Sequence, residues 1–172
     1  MVRKIILPER ISEKLDLLAR LDQECSGILL YRKTKEDCPI DYMFLTGISG
    51  NKKAIPERER ENLIKKFYFE NPDYSGIDFH THSALNIQKY GKKLEDFSKG
   101  DLTDIESKLK RDENYLAMLV TPKRKILYGK KAPDLVTGEN YPFSEMLDKT
   151  IGMHLAYIRN NIKENLEEIY YP

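Results

Sequence analysis

The sequence predicts an α/β protein, because strand-like apolar runs alternate along it with segments whose apolar residues recur at helical spacing. Cys25-Ser26-Gly27-Ile28-Leu29-Leu30-Tyr31 is almost wholly apolar or small, the mark of a strand covered on both faces. Ile11, Leu15 and Leu18 trace one face of an early helix. Met146, Ile151, Leu155, Ile158, Ile162, Leu166 and Ile169 trace a longer stripe near the end, suited to covering a sheet. The expected architecture is a central mixed β-sheet flanked by helices, in a single domain over residues 1–172.

Each element has its own local cause. A short strand at Lys4–Leu7 leads to Pro8, which suits a first helical turn. The helix that follows delivers the chain to Glu24 and the strand Cys25–Tyr31, which is expected to pair with Tyr42–Ile48 across a loop containing Asp37-Cys38-Pro39. Pro56 opens a charged helix with Leu63, Ile64 and Phe67 towards the core, and Asn71-Pro72-Asp73 stops it. Ser75–His82 reads as a strand. Thr103–Arg111 reads as a helix, with Thr103 and Glu106 matching a capping box. Tyr115–Thr121 and Lys125–Tyr128 are strands joined at Pro122-Lys123-Arg124, and a loop rich in Pro, Gly and Asn leads to the last helix, at about 143–169.

The 172 residues suffice for one domain with a core, and 29 basic against 28 acidic side chains leave no global field to attract nucleic acid or a membrane surface. The run Met1–Pro8 is too short for a signal peptide, and no stretch approaches the roughly 18 apolar residues of a membrane span. A soluble, cytoplasmic protein is expected. Cys25 and Cys38 lack the spacing of a zinc knuckle; buried or free thiols are the default, and a bridge between them stays open.

The chemistry concentrates in Asp78-Phe79-His80-Thr81-His82, in Ser98-Lys99-Gly100-Asp101 and in Glu24. Residues two apart on a strand share a face, so His80 and His82 present both rings to one point, with Cβ atoms about 6.6–7 Å apart. Asp78 shares that face but would lie about 13 Å from His82, so a third ligand must come from elsewhere, and Asp101 is the candidate. Each part has a plainer explanation: His-x-His as solvated polar side chains, Ser98 and Asp101 as a helix N-terminus, Glu24 as a strand-edge carboxylate. His154 falls beside the last apolar stripe and reads as a core-edge residue.

The order glutamate, apolar strand, His-x-His, then Ser-x-x-Asp opening a helix resembles the JAMM metalloprotease family, also called the JAB or MPN domain. Its signature falls on Glu24, His80, His82, Ser98 and Asp101, and Glu24-Cys25-Ser26-Gly27-Ile28-Leu29-Leu30 looks like the family's glutamate followed by a small residue, glycine and aliphatics. Ser83 stands where the family usually has proline, and the 15 residues Ser83–Phe97 exceed the family's usual spacer.

The resemblance implies a cytidine-deaminase-like architecture and zinc held by His80, His82 and Asp101, with an open position whose water drops in pKa from about 15.7 towards roughly 7. It implies Glu24 as general base and Ser98 as a donor to the oxyanion. The activity implied is peptide or isopeptide hydrolysis after the C-terminus of a ubiquitin-like protein, whose conjugates would be its partners. Rivals are a non-catalytic MPN-type scaffold and a hydrolase of sulfur-carrier tails or other small peptide conjugates. An iron oxygenase would need a jelly roll, a base deaminase a Pro-Cys-x-x-Cys pattern, and an amidohydrolase barrel a longer chain. Thr81, facing away, is given no catalytic role. Ser83–Phe97 is expected to form a flap beside the metal, and the last helix is a candidate homodimer contact.

Overall fold

The run Lys4–Pro8 forms β1, and the chain turns directly into α1, Glu9–Ala19. The computed structural model describes residues 4–33, 36–48, 66, 68 and 70–138. The chain continues through β2 (Cys25–Arg32), β3 (Asp37–Ile48), β4 (Tyr74–Thr81) and α2 (Ala84–Tyr90) to a 3-10 turn at Lys92–Glu95. Then come α3 (Lys99–Leu109), β5 (Ala117–Val120), β6 (Lys125–Tyr128) and β7 (Asp134–Gly138). The fold is α/β. Among the described residues the strands form one mixed sheet of seven, ordered β6-β5-β4-β2-β3-β1-β7. β2 pairs antiparallel with β3 and β4, whereas β4 with β5, and β1 with both β3 and β7, run parallel.

Helices cover both faces, which is why β2 is apolar along most of its length. On one face Ile11, Leu15 and Leu18 of α1 pack with Ile5, Leu7, Leu29, Ile77, Phe79, Met118 and Val120. On the other, Ile105 of α3 packs with Phe97, Ala117 and Leu119. Period-two alternation along β4 buries Ile77, Phe79 and Thr81 and turns Asp78 and His80 to the α3 side. The strand therefore builds the core with one set of residues and carries polar chemistry with the other.

Several boundaries differ from the sequence reading. Asp37-Cys38-Pro39 is strand rather than loop, because β1 pairs with it in register, Lys4 opposite Asp37 and Ile6 opposite Pro39. Pro8 closes β1 with ψ 141°, ahead of the helix rather than within its first turn. α3 starts at Lys99, four residues before Thr103, and its capping box is Ser98 with Asp101; the Thr103 hydroxyl donates to the Lys99 carbonyl instead. β7 lies where a loop was expected: its mostly exposed residues carry no apolar alternation, and parallel pairing to β1 makes it a strand. Tyr115 belongs to a turn, its N–H bonded to the Asp112 carbonyl, so β5 is shorter than expected. The helix expected to open at Pro56 and the helix at about 143–169, with His154, fall outside the described residues, although Lys66, Tyr68 and Glu70 are helical. Among the described residues no helix is long and apolar enough to cross a membrane.

Leu29 sits at the centre of the sheet with 0% exposure. Leu29→Ala should cost about 2–5 kcal/mol of unfolding free energy, read as a lower urea midpoint with unchanged slope.

Candidate metal centre

Two elements meet at this centre: the exit of β4 and the first turn of α3. His80 is the penultimate residue of β4, and His82, one past its end, keeps the ladder through its N–H to the Val120 carbonyl, 3.0 Å. The two rings stand 5.0 Å apart between centroids at 64°. Asp101 is brought opposite them by the capping box. Its N–H donates to Ser98 Oγ at 3.2 Å, and its Oδ2 accepts the Ser98 N–H at 2.7 Å. Capping and ligation, alternatives in the sequence, are therefore geometrically compatible in one carboxylate: Oδ1 lies 3.3 Å from His80 Nε2, and Oδ2 lies 3.3 Å from His82 Nε2.

The donor set fits a divalent ion. One ligand atom from each of His80, His82 and Asp101 lies within 4.8 Å of the others. Bonds of about 2.0–2.1 Å in a tetrahedron imply ligand separations of about 3.4 Å, and each imidazole nitrogen has one of the two Asp101 oxygens at about that distance, 3.3 Å. His82 Nδ1 lies 2.8 Å from the Leu94 carbonyl, which can only accept, so Nδ1 carries the proton and Nε2 points its lone pair at the centre. His80 Nε2 is buried and, despite its approach to Asp101, makes no well-aligned hydrogen bond. A buried nitrogen with only a poorly aligned partner is costly, and an ion between the rings would relieve it.

Electrostatics concentrate on the carboxylate. Burial would raise the Asp101 pKa, but His80, His82 and the Ser98 contact outweigh it and hold the group well below the ordinary carboxylate range. Burial would lower His82, yet Asp101, the Leu94 carbonyl and the charge of Glu24 leave its pKa raised. In the metal-free protein the raised His82 value therefore contributes stability below about pH 6.5, its unfolded value, and that contribution is lost as pH rises through the folded value.

Glu24 immediately precedes β2. Ser26, two residues on, pairs with His80, and the charge of Glu24 acts on His82. Thr81, pointing away from the rings, accepts the Cys25 N–H at 2.8 Å and so fixes the backbone next to Glu24. The Glu24 side chain accepts from Asn86 Nδ2 at 2.9 Å. Asp78 stays out of the group; it accepts from Tyr115 Oη at 2.9 Å and Lys108 Nζ at 3.4 Å. A cleft of about 980 Å³, lined among others by Ser26, Ile28, Asp78, Asp104 and Lys108, opens onto His80 and Asp101. Both cysteines are buried free thiols.

No family model and no curated protein matches the chain. Among solved structures, the solution structure of protein DSY2949 from Desulfitobacterium hafniense matches 79% of this chain and 94% of its own length, at 17% identity and a TM-score of 0.51. At that identity the likeness concerns the fold alone.

Asn86, the Leu94 carbonyl and Thr81 are contributors that the sequence reading did not place. Nothing in the local pattern marks the first two, which act across loop closures. Thr81 has a visible signal, a polar residue alternating into an apolar face.

Purified protein should bind about one equivalent of Zn²⁺, and His82→Ala or Asp101→Ala should each weaken binding by at least 10-fold in competition with a chromogenic chelator. Affinity should rise with pH across the interval in which His82 loses its proton, because the ion competes with that proton.

Proposed function

We propose that this chain is a zinc peptidase of the JAMM type, with the corresponding JAB/MPN-like architecture, acting on peptide or isopeptide bonds after the C-terminus of a ubiquitin-like modifier. The observation that carries the reading is the convergence of His80, His82 and Asp101, with a general-base candidate, Glu24, at the entry of the neighbouring strand, where its charge acts on His82.

In this reading His80, His82 and Asp101 hold the ion. Bound there, zinc would supply a Lewis acid and lower the pKa of a water towards roughly 7. Glu24 takes the proton of the attacking water and passes it to the departing amine. Ser98 Oγ already accepts the Asp101 N–H, and its own O–H is the donor offered to the oxyanion. The cleft beside His80 and Asp101 would hold the extended chain that carries the scissile bond.

The test is a panel of ubiquitin-like fusions and conjugates incubated with zinc-loaded wild type and Glu24→Gln. The variant should bind zinc as wild type does and lose about 10²–10⁴-fold in turnover. Zinc-loaded wild type with no turnover on any conjugate would replace this reading with a binding scaffold, and turnover confined to small sulfur-carrier tails would reassign the substrate.

A further inference from the structure

Apart from Phe97 at its end, which packs with Ile105, Ala117 and Leu119, the segment 83–97 has little hydrophobic reason to lie where it does. Neither α2 nor the 3-10 turn buries a residue, and Leu85 and Tyr90 are 48% and 55% exposed. Its other attachments are polar, and two of them end at the metal centre: the Leu94 carbonyl on His82 Nδ1, and Asn86 Nδ2 on Glu24 Oε1. Its far end is held by the β5–β6 turn, with Lys123 Nζ 2.6 Å from Glu95 Oε1 and the Arg124 guanidinium on the Glu95 carbonyl at 3.2–3.3 Å. Its near end is set by Ser83, whose Oγ accepts the Asn86 N–H at 3.2 Å. Asn86 is thus held by its backbone while its side chain donates across 62 positions of sequence.

We infer that the 83–97 segment is a positioning arm and that Asn86 is its positioning residue, orienting the Glu24 carboxylate for proton transfer. This rests on the peptidase reading for its catalytic consequence and on the hydrogen bond alone for its structural one. The donor type matters. Lysine or arginine at this place would fix Glu24 equally well but would stabilise its charged form and weaken it as a base; a neutral amide fixes one oxygen at much smaller cost to basicity. Asn86 touches none of the three ligand residues through its side-chain bond, so its influence on the reaction passes through Glu24.

The test uses the full chain, zinc-loaded, with Asn86→Ala, Asn86→Asp, Glu24→Ala and the double variant Glu24→Ala/Asn86→Ala. Hydrogen exchange of the amides in 84–90 should accelerate in each alanine single variant and no further in the double, because the same Asn86–Glu24 bond is lost in all three. Additive acceleration, or none in Asn86→Ala, overturns the inference. Zinc affinity should stay within about 2-fold of wild type in Asn86→Ala; a larger loss would mean that Asn86 serves the ligands instead. On a conjugate that wild type cleaves, kcat should fall about 10–100-fold with KM unchanged. Asp is nearly isosteric with Asn but cannot donate when ionised and repels Glu24, so the order Asn86, Ala, Asp in falling kcat supports a donor role. Asp equal to wild type overturns it. Zinc-loaded wild type without turnover removes the peptidase reading, while the exchange cycle still decides whether Asn86 holds Glu24.

Discussion

The arrangement depends on a single carboxylate that answers to two masters. Asp101 closes the first turn of α3 through Ser98 and faces both imidazoles at 3.3 Å. A negative group at a helix N-terminus is favoured by the exposed N–H groups there, so the fold itself draws the charge to this point. The helix cannot shift without moving the carboxylate, and Ile105 of the same helix is packed against Leu119 and Ala117. Rigid packing of α3 is thereby transmitted to the geometry of the centre.

β4 supplies the other half of that rigidity. Ile77 and Phe79 are anchored in the α1-facing core while His80 leans out between them and Thr81. Thr81 ties β4 to Cys25, and the base candidate at Glu24 inherits its position from that tie. Phe97 packs edge-on against the His80 ring, 6.0 Å between centroids, closing the apolar side of the site. The three candidate ligands, Glu24 and the supporting groups therefore come from one strand, one strand entry, one helix start and one connecting segment, all leaning on the same sheet.

How much of this could be seen beforehand varied with the range of the interaction responsible. The apolar run of β2, the helical stripe of α1 and the period-two pattern around His80 are local, and each appears in the structure near its expected place. The closeness of His80, His82 and Asp101 was legible through a resemblance, since spacing alone brings the two rings together and cannot say which later carboxylate meets them. β7 and the start of β3 were not legible, because pairing with β1, far away in sequence, is what makes them strands. The start of α3 was ambiguous for a related reason. Ser98 with Asp101 and Thr103 with Glu106 both satisfy the local rule, and the packing of Leu102 and Ile105 selects the earlier start. Asn86 on Glu24 is a pure product of chain closure and leaves no trace in composition or period.

Cys25 adjoins Glu24, yet it is 1% exposed and its thiol is pushed up to about 12 by burial, with the charge of Glu24 adding to the effect. Nucleophilic sulfur chemistry needs an accessible thiolate, and this side chain offers neither access nor ionisation. Iodoacetamide, which silences enzymes built on a cysteine nucleophile, should therefore pass this centre by.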